Sequence, residues 1–283
     1  MQDVSISPTT DSDTKLTAAD MIARARTLVP VLRDRAEEAQ KLGRVPAETM
    51  ADYHRLGLLR MAQPRRYGGH EMGWDVLCVI SQLLAAADCS QAWIQRIMAD
   101  HAQMVATFPE QAQDDVWRDN PQAVICAAFD PVGRATQVPG GFRFSGRHGF
   151  SSGVDYADWL ICGGYIVDDG NGEKRDGPHF FLVRRSDATI LDDWHTMGLE
   201  GTGSKSFVVE DAFVPEHCLL DGARARVGQG PGTAVNTAPV YRTPRGGVTS
   251  TGFAALTVGA AQGVLQEWLI YSAPRKSRGK AVA

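Results

Sequence analysis

Phosphate-binding chemistry is suggested at two places along this 283-residue chain. The first is the GTGS string at residues 201–204. Successive backbone N–H groups in such a loop can form an anion-holding nest. A tight turn leading into the apolar run 207–214 accounts for the same residues. The second lies beyond Asp221, where eight basic residues (Arg224, Arg226, Arg242, Arg245, Arg275, Lys276, Arg278, Lys280) face one acid, Glu267. That stretch carries +7, residues 1–221 carry −11, and the chain as a whole −4. Such a segment is a solvated face or a site for an acidic partner, a phosphate-bearing cofactor being the sharper case. Ser151 and Ser152, in GRHGFSSG (146–153), place two hydroxyls in a turn where each can bond its own backbone. His101 falls on an apolar stripe, where a lone histidine is ordinarily a satisfied core residue. Arg275 follows a long apolar segment and suits the C-terminal end of a helix.

Other chemistry is not supported. The seven histidines form no i, i+4 pair, so no metal site is expected. The five cysteines (Cys78, Cys89, Cys126, Cys162, Cys218) have no redox or metal spacing and read as small buried thiols in a reducing cytoplasm. The net charge argues against nucleic acid. No apolar run approaches the ~18 residues of a membrane span. Residues 1–15 (MQDVSISPTTDSDTK) lack both regions of a secretory signal and read as a short, polar, mobile lead. A cytoplasmic protein that engages neither membrane nor nucleic acid is expected.

The elements that must position these groups are helical first. Thr17 caps a helix with Ile22, Ala25, Val29, Leu32, Ala36 and Ala39 on one face. Pro46 and Gly57 bracket a second. A third carries Val76, Val79, Ile80, Leu83, Leu84 and Ala87. Ser90 caps a fourth, with Ile94, Ile97, Met98, His101, Val105 and Phe108, and Pro109 opens a fifth. From Pro121 the period changes to alternation, predicting strands at 123–129, around Phe142 and Phe144, and at 159–165, 179–183 and 207–214. After a Gly/Pro/Arg loop, one long helix from Gly246 carries the stripe Phe253, Thr257, Ala261, Val264, Leu265, Trp268 and Leu269. The fold class is therefore α+β, with a helical domain at 1–120, a β-barrel or sandwich at 121–222, and the first part of a further helical domain at 223–283.

FSSG, the string WHTMGLEGTGSKSFVVEDAFVPEH (194–217) and RKSRGK (275–280), set in helix–β–helix order, resemble the acyl-CoA dehydrogenase fold. Within it they are most similar to the oxygenase components of two-component flavin monooxygenases, such as the 4-hydroxyphenylacetate and secosteroid phenol hydroxylases. The likeness runs from about residue 20 and implies a C-terminally truncated chain. It matches Phe150 to an aromatic position beside the flavin, and sets Ser151 and Ser152 where a strand ends against the ring. A hydroxyl at Ser152 can there bond flavin N5 or O4. Trp93 matches an aromatic against the flavin, and Ala127 and Ala128 fall where backbone amides line the isoalloxazine. His101 matches a histidine facing the substrate, and Arg275 an arginine that reaches a neighbouring subunit's flavin phosphate.

What the resemblance implies is a monooxygenase that hydroxylates a phenolic or other aromatic substrate through a C4a-hydroperoxyflavin. The reduced FMN or FAD comes from a separate flavin reductase, and full-length relatives are homotetramers. His101, as a neutral imidazole, would take the phenol proton, and Ser152 would complete the catalytic pair. An acyl-CoA dehydrogenase is the alternative. It needs a carboxylate base, and the C-terminal region offers only Glu267, which matches neither usual base position. The string FDPVGR, Phe129 onward, also departs from the dehydrogenases' TEPxxGSD-like pattern. A truncated, non-catalytic relative is the third reading.

Overall fold

The computed structural model describes residues 16–167, 174–277 and 280–281. The lead at 1–15 and Arg278 lie outside them. Thr17 caps α1 (Ala18–Asp34) reciprocally: its hydroxyl accepts from the Asp20 N–H, and the Asp20 carboxylate accepts from the Thr17 N–H. The buried face is Met21, Ala25, Leu28 and Leu32, with Ile22 and Val29 only half-buried. The predicted stripe is thus offset by one residue in part, and it is broken at Arg35, where α2 (Ala36–Leu42) begins. α3 (Ala47–Leu56) follows Pro46 and ends on Gly57 at φ 75°. After α4 (Trp74–Ala85), Asp88 rather than Ser90 caps α5 (Cys89–Val105), accepting from the Gln91 N–H at 2.7 Å. Asp88 is extended, whereas Ser90 is already inside the first turn. α6 (Glu110–Trp117) completes this layer.

α5 is buried on nearly every side, polar residues included. Those side chains are used internally: Gln91 Nε2 donates to Leu32 O, Gln95 Nε2 to Leu58 O, and Gln103 Nε2 to Val240 O. A helix surrounded by protein makes a rigid base for a site.

Seven strands follow: β1 (Ile125–Val138), β2 (Gly141–His148), β3 (Trp159–Val167), β4 (Lys174–Arg184), β5 (Ala188–Ile190), β6 (Phe207–Pro215) and β7 (Leu219–Asp221). Their order in the sheet is β5-β6-β2-β1-β3-β4-β7. Among the described strands only β1 and β3 pair in parallel, and no helix of α type joins them. Phe181 of β4 meets Phe142 and Phe144 of β2 at ring distances of 5.7 and 4.8 Å, although β1 and β3 lie between those strands in the order. The sheet therefore curls over its own core, sandwich-like. β1 runs nine residues past the predicted end at Phe129, because its register slips between Ala128 and Gly133 and so accommodates Pro131. β5 and β7, three residues each, are too short for alternation to show.

A short α7 (Gly222–Arg226) opens the stretch expected as a loop, and α8 (Arg245–Ser272), which follows it, corrects two expectations. No charge interrupts it between Arg245 and Glu267, and it is long and apolar enough to cross a membrane by length and composition. Its packed face is not the predicted apolar stripe but Gly252, Leu256, Gly259 and Gly263. A Cβ at Gly259 or Gly263 would stand 2.2 Å from Gln82 O or 2.4 Å from Ala86 O, so the glycines let the backbones of α8 and α4 touch. The large apolar residues face outward, Val264 at 71% and Ile270 at 67% exposure. Beyond α8, β8 (Lys276–Ser277) and β9 (Lys280–Ala281) pair antiparallel.

Candidate active site

A cavity of about 310 Å³ opens where α5, β1, the turn after β2 and the first half of α8 meet. α5 contributes Trp93, Ile97 and His101, which share a helix face by their spacing of four. β1 contributes Ala127, Ala128, Phe129 and Asp130; the turn contributes Gly149, Phe150 and Ser152; α8 contributes Phe253. Six of the predicted site residues (Trp93, His101, Ala127, Ala128, Phe150, Ser152) are thus brought together, across 59 positions of chain between Trp93 and Ser152.

His101 is 4% exposed. Its Nδ1 lies 3.0 Å from the Ile125 carbonyl. A carbonyl only accepts, so Nδ1 carries the hydrogen and Nε2 is a bare acceptor. Burial holds the imidazole pKa down to about 4, against a smaller upward pull from Asp100. The ring is therefore neutral at ordinary pH. Phe129 stands edge-on to it at 5.6 Å, and Arg245 lies over the Phe129 ring at 5.7 Å. Arg245 itself is turned inward, 3.3 Å from Asp100 Oδ1 and donating to Gln103 Oε1 at 2.7 Å, so this cation of the basic segment serves the interior.

The indole of Trp93 stacks on Phe253 at 5.0 Å and 9°. Its Nε1–H donates to Ser152 Oγ at 3.0 Å, and Ser152 Oγ in turn lies 2.7 Å from Ser204 Oγ. Phe150, 77% exposed at the rim, has φ 56°, a left-handed conformation that costs an aromatic residue free energy. Ala127 and Ala128 still sit in the ladder opposite Ile161 and Cys162, and the slip that follows frees backbone from pairing beside the cavity.

Two predicted site residues are not brought here. Ser151 is fully buried, does not line the cavity, and leaves its Oγ without a partner; neighbours in a non-helical segment face opposite ways. Arg275 is exposed beyond the far end of α8, with its guanidinium 3.8 Å over the Tyr271 ring. At 1.5 Å per residue the last residue of α8, Ser272, is already about 29 Å along the helix from Phe253, and Arg275 lies beyond it.

Sequence reasoning did not single out Ile97, Phe129, Asp130, Gly149 or Phe253 for the site. The four-residue spacing 93–97–101 was a usable signal for Ile97. It also missed Ser204 and Thr202, because GTGS reads more readily as a tight turn into the following strand. Both hydroxyls are used inside the protein, and Gly201 packs against Ala39 and Ser90. Elsewhere, Asp115, His217 and Cys218 gather metal-ligating atoms within 4.8 Å, a grouping no local spacing revealed. His217 Nε2 is 2.7 Å from Asp115 Oδ2, while burial pushes the Cys218 thiol up to about 12, away from the thiolate a metal requires.

A family profile described as "Acyl-CoA dehydrogenase, N-terminal domain" matches residues 20–118. The HsaA oxygenase subunit of a flavin-dependent monooxygenase from Rhodococcus jostii is 36% identical over 92% of this chain and 65% of the relative. The crystal structure of the HsaA monooxygenase from M. tuberculosis superposes with a TM-score of 0.85 at 33% identity, over 90% of this chain and 69% of that one. The chain belongs to the acyl-CoA dehydrogenase-fold flavin-dependent monooxygenases. The structure of XiaF from Streptomyces sp. in complex with FADH2 and glycerol also superposes, at 28% identity and a TM-score of 0.85 over 92% of this chain and 65% of its own. The chain spans about 65% of the length of the curated HsaA relatives it matches.

Proposed function

We propose that this chain forms the flavin and substrate pocket of a reduced-flavin-dependent monooxygenase that hydroxylates a phenolic or other aromatic substrate. FMN or FAD would be reduced by a separate flavin reductase. One observation carries the reading: a neutral His101, with Nε2 free to accept, and the Ser152 hydroxyl line one cavity walled by flat rings. Relatives bearing the names HsaA monooxygenase, resorcinol hydroxylase and p-hydroxyphenylacetate 3-hydroxylase support the substrate class.

The residues present fit a flavin. The Trp93–Phe253 stack and Phe129 offer flat apolar walls, Ser152 offers a polar atom at the rim of a ring, and unpaired backbone borders the β1 slip. The volume lies at the small end of ligand pockets, enough for a ring system but not for a whole dinucleotide. Reduced flavin, when bound, supplies the electrons that activate dioxygen.

His101 positions and partly deprotonates the phenol. Its donor is committed to Ile125, which orients Nε2 as an acceptor for a hydroxyl. A phenol of pKa ~10 cannot hand its proton fully to an imidazole of pKa about 4: the gap of roughly six units costs about 8 kcal/mol. His101 therefore accepts a hydrogen bond in the ground state and draws the proton only as the ring gives up electron density in the transition state. Ile97 and the aromatic walls give the cavity an apolar lining, the kind of surface that disfavours water at a reacting face.

Among the described residues the dehydrogenase alternative finds no buried carboxylate base in the cavity. Glu267 pairs with Arg33 at 3.3 Å, about 21 Å along α8 from Phe253, and Asp130 lies on the exposed rim. Anaerobic titration with reduced FMN and FAD, followed by product analysis of simple phenols with NADH and a flavin reductase, tests the proposal. Binding of reduced flavin with oxygen incorporation is expected. Failure of both reduced flavins to bind would refute it.

A further inference from the structure

The hydroxyl of Ser152 does not stand alone. It begins a row of four hydrogen bonds: Trp93 Nε1 to Ser152 Oγ at 3.0 Å, Ser152 Oγ to Ser204 Oγ at 2.7 Å, Ser204 Oγ to Thr202 Oγ1 at 2.7 Å, and Thr202 Oγ1 to the Leu199 carbonyl at 2.8 Å. The three hydroxyls are nearly or wholly buried, with Thr202 at 1% and Ser152 and Ser204 at 6% exposure.

The two ends of this row dictate the direction of every proton in it. A carbonyl can only accept, so Thr202 spends its one hydrogen on Leu199. Toward Ser204 it can then only accept, so Ser204 donates to it. Ser204, its hydrogen committed, accepts from Ser152. At the other end an indole N–H can only donate, and Ser152 accepts from Trp93. Each bond agrees with the next, and no other assignment satisfies all four. Ser152 has thereby given away its hydrogen and used one lone pair. What it has left for the cavity it lines is a second lone pair.

We propose that Ser204 and Thr202 are positioning residues that make Ser152 an obligate acceptor, so that the site prefers reduced over oxidised flavin. The inference rests on the proposed flavin function and deepens it. In reduced flavin N5 carries a hydrogen and can donate to Ser152. In oxidised flavin N5 is a bare acceptor, and O4 is an acceptor in both states. An acceptor-only hydroxyl therefore suits N5–H and opposes the oxidised ring, lone pair against lone pair. Selection of the reduced form matters to a protein that receives its flavin from elsewhere, because oxidised flavin competes for the same cavity.

The test is a pair of titrations on the whole chain: reduced FMN and FAD under anaerobic conditions, and the oxidised forms by fluorescence quenching. Wild type is expected to bind the reduced form at least about tenfold more tightly. In Ser204→Ala the Ser152 hydrogen is released and can serve oxidised N5. Oxidised flavin should then bind about two- to tenfold more tightly, the span of one net hydrogen bond, while reduced flavin changes little. Thr202→Val should move the ratio in the same direction, and Ser204→Thr should restore it. The Trp93 indole N–H resonance of the flavin-free protein, assigned with Trp93→Phe, reports whether each variant keeps its pocket. Tighter binding of the oxidised form is not what a merely structural role would produce. Equal weakening of both redox states in Ser204→Ala, with the Trp93 resonance in place, would overturn the proposal. So would a wild type that binds both states alike, and in that case the monooxygenase reading would stand. Binding of neither state by wild type would remove that reading and this inference together.

Discussion

Replacing His101 separates its two jobs. The Nδ1–H bond to Ile125 O holds the ring and the start of β1, while Nε2 faces the cavity. His101→Ala removes both. The orphaned, buried Ile125 carbonyl should cost about 1–3 kcal/mol of stability. At ~2–4 °C per kcal/mol for a chain of this size, Tm should fall by about 2–12 °C. Loss of the proton acceptor should slow hydroxylation by about 10²–10⁴-fold, or roughly 3–5 kcal/mol in the barrier. His101→Asn places an amide N–H near the position of Nδ1, so it should recover most of the stability and none of the rate. His101→Gln can present an oxygen near the position of Nε2, so it should recover substrate affinity but little of the rate, because an amide accepts a hydrogen bond without taking the proton. The assays are thermal unfolding for stability and single-turnover hydroxylation for rate, with flavin affinity as the control. Wild-type rate in His101→Asn would refute the assigned role, since only the Nε2 acceptor is then missing.

His101 and His148 should make stability pH-dependent. His148 is stacked between Phe144 and Phe207 with neither ring nitrogen bonded, and burial holds both histidines near a pKa of about 4. A pKa below the unfolded ~6.5 means the unfolded chain binds protons first, so this stability is complete above pH ~6.5 and drains toward pH 4. The slope should reach roughly 1.4 kcal/mol per pH unit for each histidine; denaturant unfolding from pH 4.5 to 7.5 measures it, His148→Leu should remove about half of their share, and an unchanged slope would count against the account. Gly259→Ala sets a Cβ 2.2 Å from Gln82 O, so α8 must move off α4, lowering Tm and weakening flavin binding through the Phe253–Trp93 stack; an unchanged Tm would disprove the contact. The outward face of α8 (Val264, Leu265, Trp268, Ile270) should drive self-association, seen by light scattering after size exclusion and reduced by Leu265→Glu with Trp268→Glu, whereas a monomer at all concentrations would contradict it.

The change of period at Pro121, the caps at Thr17 and Gly57, and the FSSG and GTGS strings were all readable without coordinates, because each depends on neighbours a few residues away. That local information was enough for the order of elements and for six of the residues that meet in the cavity. It was insufficient wherever a side chain's role depends on a distant part of the chain. Ser151 and Ser152 are chemically identical in the sequence, and one faces the cavity only because the turn after β2 packs on α5. The direction of the Ser152–Ser204–Thr202 row depends on an indole 59 positions before Ser152 and on a carbonyl at Leu199. On α8, hydrophobicity pointed to the wrong face: the stripe that packs is the one with glycines, since backbone can approach backbone only where no side chain intervenes. Periodicity reports which residues avoid water, while close contact is settled by shape, and shape exists only once the distant partner is in place.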